Sequence, residues 1–498
     1  MLHELLDLAW RRSANLGHDA VDPEVAALGE HLTRLAGPLR ADADPDPALD
    51  QAVLAECFER GLFSLTVPRD AGGLGASLHD FVVTMERLAQ LGPAYVITAV
   101  PHLCVSVKAV AELCPAPQAR ELLADIRRRH RLLAFAITEE TGSDVATVRT
   151  RLARDTDGTL RLNGRKQWIT NLERASHVVV VAACPDAHPA PGATRFVCVA
   201  LDQPGVEVAA AWDKHCANGS DTADLFLDHV AIAPWQLLGE AGKGMAHFNR
   251  LVLPGRLGAA AGCVGLARDA LAVCGADAAP PLSPGRLDAL AAATGALGRL
   301  LRWVARLGDQ GHPQFAALVA LTKHTVSQQA QAIVGELDAA YAGQGRATPP
   351  SIARTAQAMG LLRLLKGPGE VLAQQTVAAW LRLPAGRAGD DWPQPLRSAH
   401  DALAHWFADL AAQGGPSARP GAVASLGDAC GAALLLACAS AADEAARWAW
   451  HHFSLRARCH PLRMHLAPDA ATHSFHALRQ ARAHGRLGPD LAGAFAWS

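Results

Sequence analysis

The stretch from about residue 133 to 235 changes hydrophobic period, and that change constrains the fold more than any overall composition does. LLAFAIT, TVRTRLARD, LRLNG, KQWIT, HVVVVAAC, TRFVCVALD, VEVAAAW and ADLFLDHVAI are short, β-branched or alternating, and DTDG, NG, PGA and QPG turns separate them. Strands this closely spaced, with no helix between them, predict an antiparallel sandwich or barrel. On the N-terminal side, LDQAVLAECFERGLF (49–63), LHDFVVTMERLAQLG (78–92) and PAPQARELLADIRRRH (115–130) place apolar residues three and four apart, which is helical spacing. On the C-terminal side, the segments 242–273, 285–308 and 315–343 are long and apolar-striped. Helices of that kind bury their faces most economically in a bundle.

The expected fold is mainly α with a central β domain. An N-terminal helical domain spans 1–132, a middle β domain 133–238, a C-terminal four-helix-bundle-like domain 239–380, and a further helical extension 381–498. Half of the 498 residues are hydrophobic and the formal charge is −2, so no basic surface points to nucleic acid. The amphipathic start is not a signal peptide, and no apolar run reads as a bilayer span; CGAALLLACASAA (430–442) reads as a buried helix. The eleven cysteines include no C-x-x-C pair, which fits reduced, buried thiols in a cytoplasmic protein. The histidines include no H-E-x-x-H, so no metal site is expected.

One stretch asks for more than a fold. AFAITEETGSDV (134–145) leaves an apolar strand through Thr, two acids, Thr, then Gly-Ser-Asp. Such residues cap a turn, because their oxygens accept from free backbone N–H groups and Gly permits positive φ. The same hydroxyls and amides also suit a polar ligand.

This stretch resembles the acyl-CoA dehydrogenase signature T-E-x-x-x-G-S-D. LNGRKQWITN (162–171) is similar to that family's L-N-G-x-K-x-W-I-T-N, and GSDTADLFLDHVAIAPWQLLGEAGKGM (219–245) to its G-S-x-T…F-x-D-V-x-V-P…L-G-x-x-G-x-G passage. GLFSLTVPRDAGGLGASLHDFVVTMERLA (61–89) resembles its N-terminal domain, G-G-x-G loop included. The resemblance implies an FAD enzyme, with Phe135, Ile137, Thr138, Gly142 and Ser143 against one side of the flavin and Trp168, Ile169 and Thr170 packing the other. Donors at the ring's pyrimidine end stabilise the charge that develops there on reduction, and an indole wall excludes water. TEETGSD is one residue shorter than the common form of the loop.

The family reaction removes an α-proton from an acyl thioester with a carboxylate while a β-hydride goes to the flavin. Alignment through AGQGRATPPSIARTAQAMGLLRLLKGPGEV (342–371) puts Lys366 where the usual Glu stands, and the alternative position before Arg256 holds Gly255. Lys366 and, four residues on, Glu370 are the candidates for proton transfer, with Ser143 and Arg256 as substrate contacts; Glu139, Glu140 and His215 are more distant candidates. A lysine acts as a base only when burial lowers its pKa from about 10.4.

On the adenylate side, the region of the family's R-x-x-F-G motif keeps Arg286 without the Phe-Gly. Its Gln position falls on Ala339, and its R-D pair reads Gln357-Ala358. The implied substrate is an acyl thioester on coenzyme A or on an acyl carrier protein, and the implied assembly a homodimer or homotetramer. Two alternatives are a member that has lost dehydrogenation and a flavin monooxygenase on the same fold.

Overall fold

The computed structural model describes residues 20–365 apart from 41–43, 45–46, 143–147 and 185–192, together with Ala9, Gly367 and scattered positions up to Ala433. Lys366, Glu370, Ser143 and nearly all of the C-terminal extension therefore lie outside the described residues.

Among the described residues from 20 on, six helices come first: α1 (Pro23–Arg40), α2 (Gln51–Glu59), α3 (Leu78–Leu88), α4 (Pro93–Pro101), α5 (Val107–Leu113) and α6 (Ala116–Arg128). Their starts follow capping chemistry: Asp50 accepts from Ala52 N and Val53 N ahead of α2, and Ser77 from Asp80 N ahead of α3. A single π turn, His102–Ser106, joins α4 to α5 directly after Pro101, whose missing N–H disturbs the regular helical ladder. The His102 ring is fully buried in that turn. Its Nδ1 accepts from Leu133 N at 2.9 Å and its Nε2–H donates to Phe63 O at 2.9 Å, so it ties the helical domain to the first strand.

The β domain contains β1 (Leu132–Ala136), β2 (Arg151–Arg154), β3 (Leu160–Thr170), β4 (Ala175–Ala183), β5 (Thr194–Ala200), β6 (Val206–Val208), β7 (Thr222–Ile232) and β8 (Leu237–Leu238). They form one sheet in the order β6-β7-β3-β2-β4-β5-β8, with β1 paired to β4. Most pairs are antiparallel as expected, but β1–β4 and a bridge from β2 to β4 are parallel. With neighbours on both edges and side chains buried on both faces, β4 is written as the uninterrupted run HVVVVAA.

The C-terminal helices are α7 (Gly244–Gly275), α8 (Pro284–Asp309), α9 (Phe315–Gly343) and α10 (Pro350–Leu364). Small residues let α7 sit against the N-terminal helices: a Cβ on Gly265 would lie 2.1 Å from the Glu86 carbonyl oxygen of α3, and one on Gly262 2.5 Å from Val96 of α4. Buried Glu86 accepts from Arg302 of α8 at 2.9 Å and from Arg268 of α7, pinning three helices with one carboxylate. Contrary to the sequence expectation, two stretches, Pro93–Leu113 and Gly244–Gly275, are long and apolar enough to cross a bilayer; 89% and 78% of their apolar windows are buried inside the fold, as core helices are.

Candidate active site

The exit from β1 is built by a tight turn and a buried ion pair. Glu139 N donates to Gly142 O and Gly142 N to Glu139 O, both at 2.9 Å, and Gly142 takes φ +98°, which glycine adopts without a Cβ clash. The Glu139 carboxylate turns inward. It accepts from Lys166 Nζ at 2.7 Å, Arg149 N at 2.7 Å, Thr150 N at 3.0 Å and Thr150 Oγ1 at 2.7 Å. Burial raises its pKa, but these four bonds outweigh burial and hold the carboxyl below its ordinary range. Glu139 is thus a structural anchor for the loop; the sequence reading had set it among the distant proton acceptors.

Phe135 lies in the core, stacked on Phe248 of α7 at 6.0 Å and edge-on to Phe196 at 5.5 Å. Ile137 and Thr138 are half-buried. Thr138 O accepts from Gln167 N at 2.9 Å, and this bond brings the β1 exit beside the tryptophan motif.

That motif contains a bulge between Lys166 and Ile169 in the β3–β7 pairing, and within it Trp168 has φ +58°. The Trp168 indole is 53% exposed, whereas Ile169 faces the β-domain core and Thr170 is half-buried. Buried Asp224 of β7 organises the bulge, accepting from Arg165 Nη2 at 2.7 Å, Trp212 Nε1 at 2.9 Å, Gln167 Nε2 at 3.4 Å and Trp168 N at 3.4 Å. Trp212 stacks on Trp168 with ring centroids 4.7 Å apart and planes 22° apart. Neither Asp224 nor Trp212 stands out in the sequence; the D-x-F-x-D pattern around residue 224 is the only local signal.

A second group of residues converges in the helical domain. Arg256 on α7 is half-buried, and the desolvation pulls its pKa down; a Cβ on Gly367 would lie 3.8 Å from its Nη2. Lys323 on α9 has no solvent exposure, and its Nζ donates to Gly367 O at 2.9 Å and to Arg363 O. Burial pushes its pKa down to about 8; Cys263 opposes that shift, while Arg256 and Arg363 add to it. Arg256, Lys323 and Arg363 therefore make a positive environment around Gly367, the residue following Lys366. Phe248 and Arg256 share α7, eight residues or about 12 Å apart along the axis, so the stack on Phe135 links the two groups.

Arg286 makes a two-pronged ion pair with Glu336 of α9, Nε and Nη2 reaching the two carboxylate oxygens at 2.6 and 2.7 Å. Gln357 lines a cavity of about 250 Å³ together with Tyr95, Cys216 and Arg354. Among the described residues no three potential metal ligands cluster.

Residues 28–129 match the family model of the acyl-CoA dehydrogenase N-terminal domain, and residues 134–230 that of its middle domain. The chain is 30% identical over 235 residues to the probable short/branched chain specific acyl-CoA dehydrogenase of Dictyostelium discoideum, covering 46% of this chain and 56% of that one. It is 28% identical over 236 residues to the 3-(aryl)acrylate reductase of Clostridium sporogenes, covering 47% and 62%. The matches thus span less than two thirds of either relative. Among solved structures, butyryl-CoA dehydrogenase from Megasphaera elsdenii superposes with a TM-score of 0.66 at 22% identity, over 73% of this chain and 100% of that one. The acyl-CoA dehydrogenase from Bacillus anthracis, solved with FAD, superposes with a TM-score of 0.73 at 19% identity, over 95% and 91%. Residues 28–129 and 134–230 thus carry the N-terminal and middle domains of the acyl-CoA dehydrogenase family in their usual order, on a fold shared with solved members.

Proposed function

We propose that this protein is a flavin-dependent oxidoreductase that acts on an acyl thioester, with FAD held between the β1 exit and the tryptophan bulge. The observation that carries the reading is the 2.9 Å bond from Gln167 N to Thr138 O, which sets the half-buried Thr138 beside the exposed indole of Trp168. Among the described residues, no hydrogen bond occupies the hydroxyl of Thr138 or Thr170, so both remain able to serve a ligand. The relatives named as acyl-CoA dehydrogenases and the FAD complex on the same fold support the assignment.

These residues fit the ring end of FAD. Thr138 and the backbone around Gly142 would hold the pyrimidine edge, and Trp168 would wall off water. When bound, the flavin supplies a hydride acceptor. The chain's own work is binding, orientation and movement of the α-proton. Arg256, half-buried and partly desolvated, would polarise the thioester carbonyl. Lys366 or Glu370 would take the proton, and Lys323 would steady their segment through the Gly367 carbonyl. We assign coenzyme A or an acyl carrier protein as the thioester's carrier and a homo-oligomer as the working assembly.

The adenylate end does not fit the family pattern in the same way. Arg286 is already engaged by Glu336, and Ala339 offers no side-chain donor. This favours a second reading, a member that has lost dehydrogenation while keeping the fold. One experiment separates the two. The purified protein should be yellow with bound FAD, and an acyl-CoA should bleach it in the absence of oxygen. A colourless protein that gains no flavin absorbance from added FAD rejects the first reading.

A further inference from the structure

We propose that Trp212 is a positioning residue, fixing the ring plane of Trp168 so that a planar conjugated ligand meets a pre-oriented indole. The inference rests on the flavin reading above, for which Trp168 is the ring's wall.

The physical problem begins at the backbone. Trp168 sits at φ +58°, a conformation that bulky residues seldom adopt, and its indole is 53% exposed. An exposed indole on such a bulge has few neighbours to choose its rotamer. Trp212 supplies the missing wall from across β7, its ring lying 4.7 Å away at 22° to that of Trp168. Stacked indoles at this separation attract through offset π contact as well as buried area.

Trp212 is itself held at two points. Its backbone N donates to Thr222 O at 2.8 Å, and its ring Nε1–H donates to Asp224 Oδ1 at 2.9 Å. Ala209 N donates to Asp224 O at 2.9 Å, which carries the β6 pairing onward to that point. The same carboxylate accepts from Trp168 N, so one buried aspartate references both the backbone of the first indole and the ring of the second. Arg165, at 2.7 Å from Asp224 Oδ2, keeps that carboxylate ionised and oriented. Because Trp212 covers one face of Trp168, a ligand ring has only the other face and the edges of that indole to use. Preorganisation of this kind lowers the ordering cost of binding.

The test uses the full chain with Trp212→Leu, which keeps an apolar side chain and removes the aromatic ring, and Trp212→Phe, which restores an aromatic face. Trp212 is 42% exposed and both variants lose the same bond to Asp224, so their thermal midpoints should match each other, each somewhat below wild type. In the cofactor-free protein, Trp212→Leu should abolish the circular-dichroism couplet of the stacked indoles. In FAD titrations followed by tryptophan quenching, Trp212→Leu should weaken binding by about tenfold, and Trp212→Phe should recover most of the loss. Wild-type affinity and an unchanged flavin spectrum in Trp212→Leu overturn the inference while leaving the flavin reading intact. Wild-type protein that binds no FAD at all overturns the flavin reading, and Trp212 loses this role with it.

Discussion

Lys323 donates to the carbonyl of Gly367 at 2.9 Å and to that of Arg363, so one ammonium without solvent exposure joins the end of α10 to the residue after Lys366. Three donors on a lysine suit such carbonyl-rich places, and the bonds offset part of the cost of burying the charge.

Burial lowers the Lys323 pKa from 10.5 to about 8, and the sign of the pH effect follows. Between those values the unfolded chain holds a proton that the folded chain has released, so this group's contribution to stability increases with pH. Below about 8 both states are charged and the burial cost, about 3 kcal/mol, is felt in full. Urea unfolding at rising alkaline pH should show wild type gaining on Lys323→Met across this window. The mutant comparison matters because the buried Cys263 thiol, pushed up to about 12, loses stability over part of the same range as the unfolded thiol ionises. A pH-independent difference between the two proteins would show that Lys323 stays charged in the fold.

His102 predicts the acid limb. Burial pushes its pKa down to about 4 from 6.5, and the bond it donates to Phe63 O acts the other way. As pH falls through that interval the unfolded chain takes up a proton that the folded ring refuses, and about 3 kcal/mol of stability drains away. His102→Gln keeps one acceptor and one donor but does not titrate. Its urea midpoint should therefore depend less steeply on pH between about 6.5 and 4 than that of wild type.

Gly265 tests the helix crossing. A methyl there would sit 2.1 Å from the Glu86 carbonyl oxygen, and backbone cannot yield as a side-chain tip can. Gly265→Ala should destabilise by about 3 kcal/mol or more through displacement of α3 from α7, despite the better helix propensity of Ala. Thermal denaturation would register it as a fall in Tm, whereas Gly275→Ala, where a Cβ meets nothing within 4 Å, should be near neutral.

What could be read ahead of the structure follows the range of each signal. β4 was legible because HVVVVAA declares its two buried faces locally, and α8 and α9 because their apolar stripes persist over many turns. Motif resemblance singled out Thr138 and Trp168, and the fold brings their two motifs together through the bond from Gln167 N to Thr138 O. The parallel β1–β4 pairing was not legible, because register depends on a partner 43 or more positions away and leaves no mark in either strand alone. Trp212, Asp224 and Lys323 went unread for the same reason: each matters through groups brought to it by folding. Glu139 shows the reverse error. An acid in a signature loop invites a chemical role, yet four hydrogen bonds and the buried Lys166 make it an anchor.

Arg286 offers the sharpest test of the cofactor's adenylate end. Its two bonds to Glu336, at 2.6 and 2.7 Å, join the start of α8 to the later part of α9. A guanidinium committed to a carboxylate fork has little left for a pyrophosphate, since both anions seek the same planar pair of donors. Glu336→Gln removes the competing charge while keeping shape. At low salt it should raise the affinity for FAD several-fold, with little change for FMN, which lacks the adenylate; adding Arg286→Ala should cancel the gain. Side chains here are 34–39% exposed, so the cost in fold stability should stay within about 1 kcal/mol. Equal FAD affinities in wild type and Glu336→Gln would mean that the adenylate half is held by other groups, and that the α8–α9 pair serves the bundle alone.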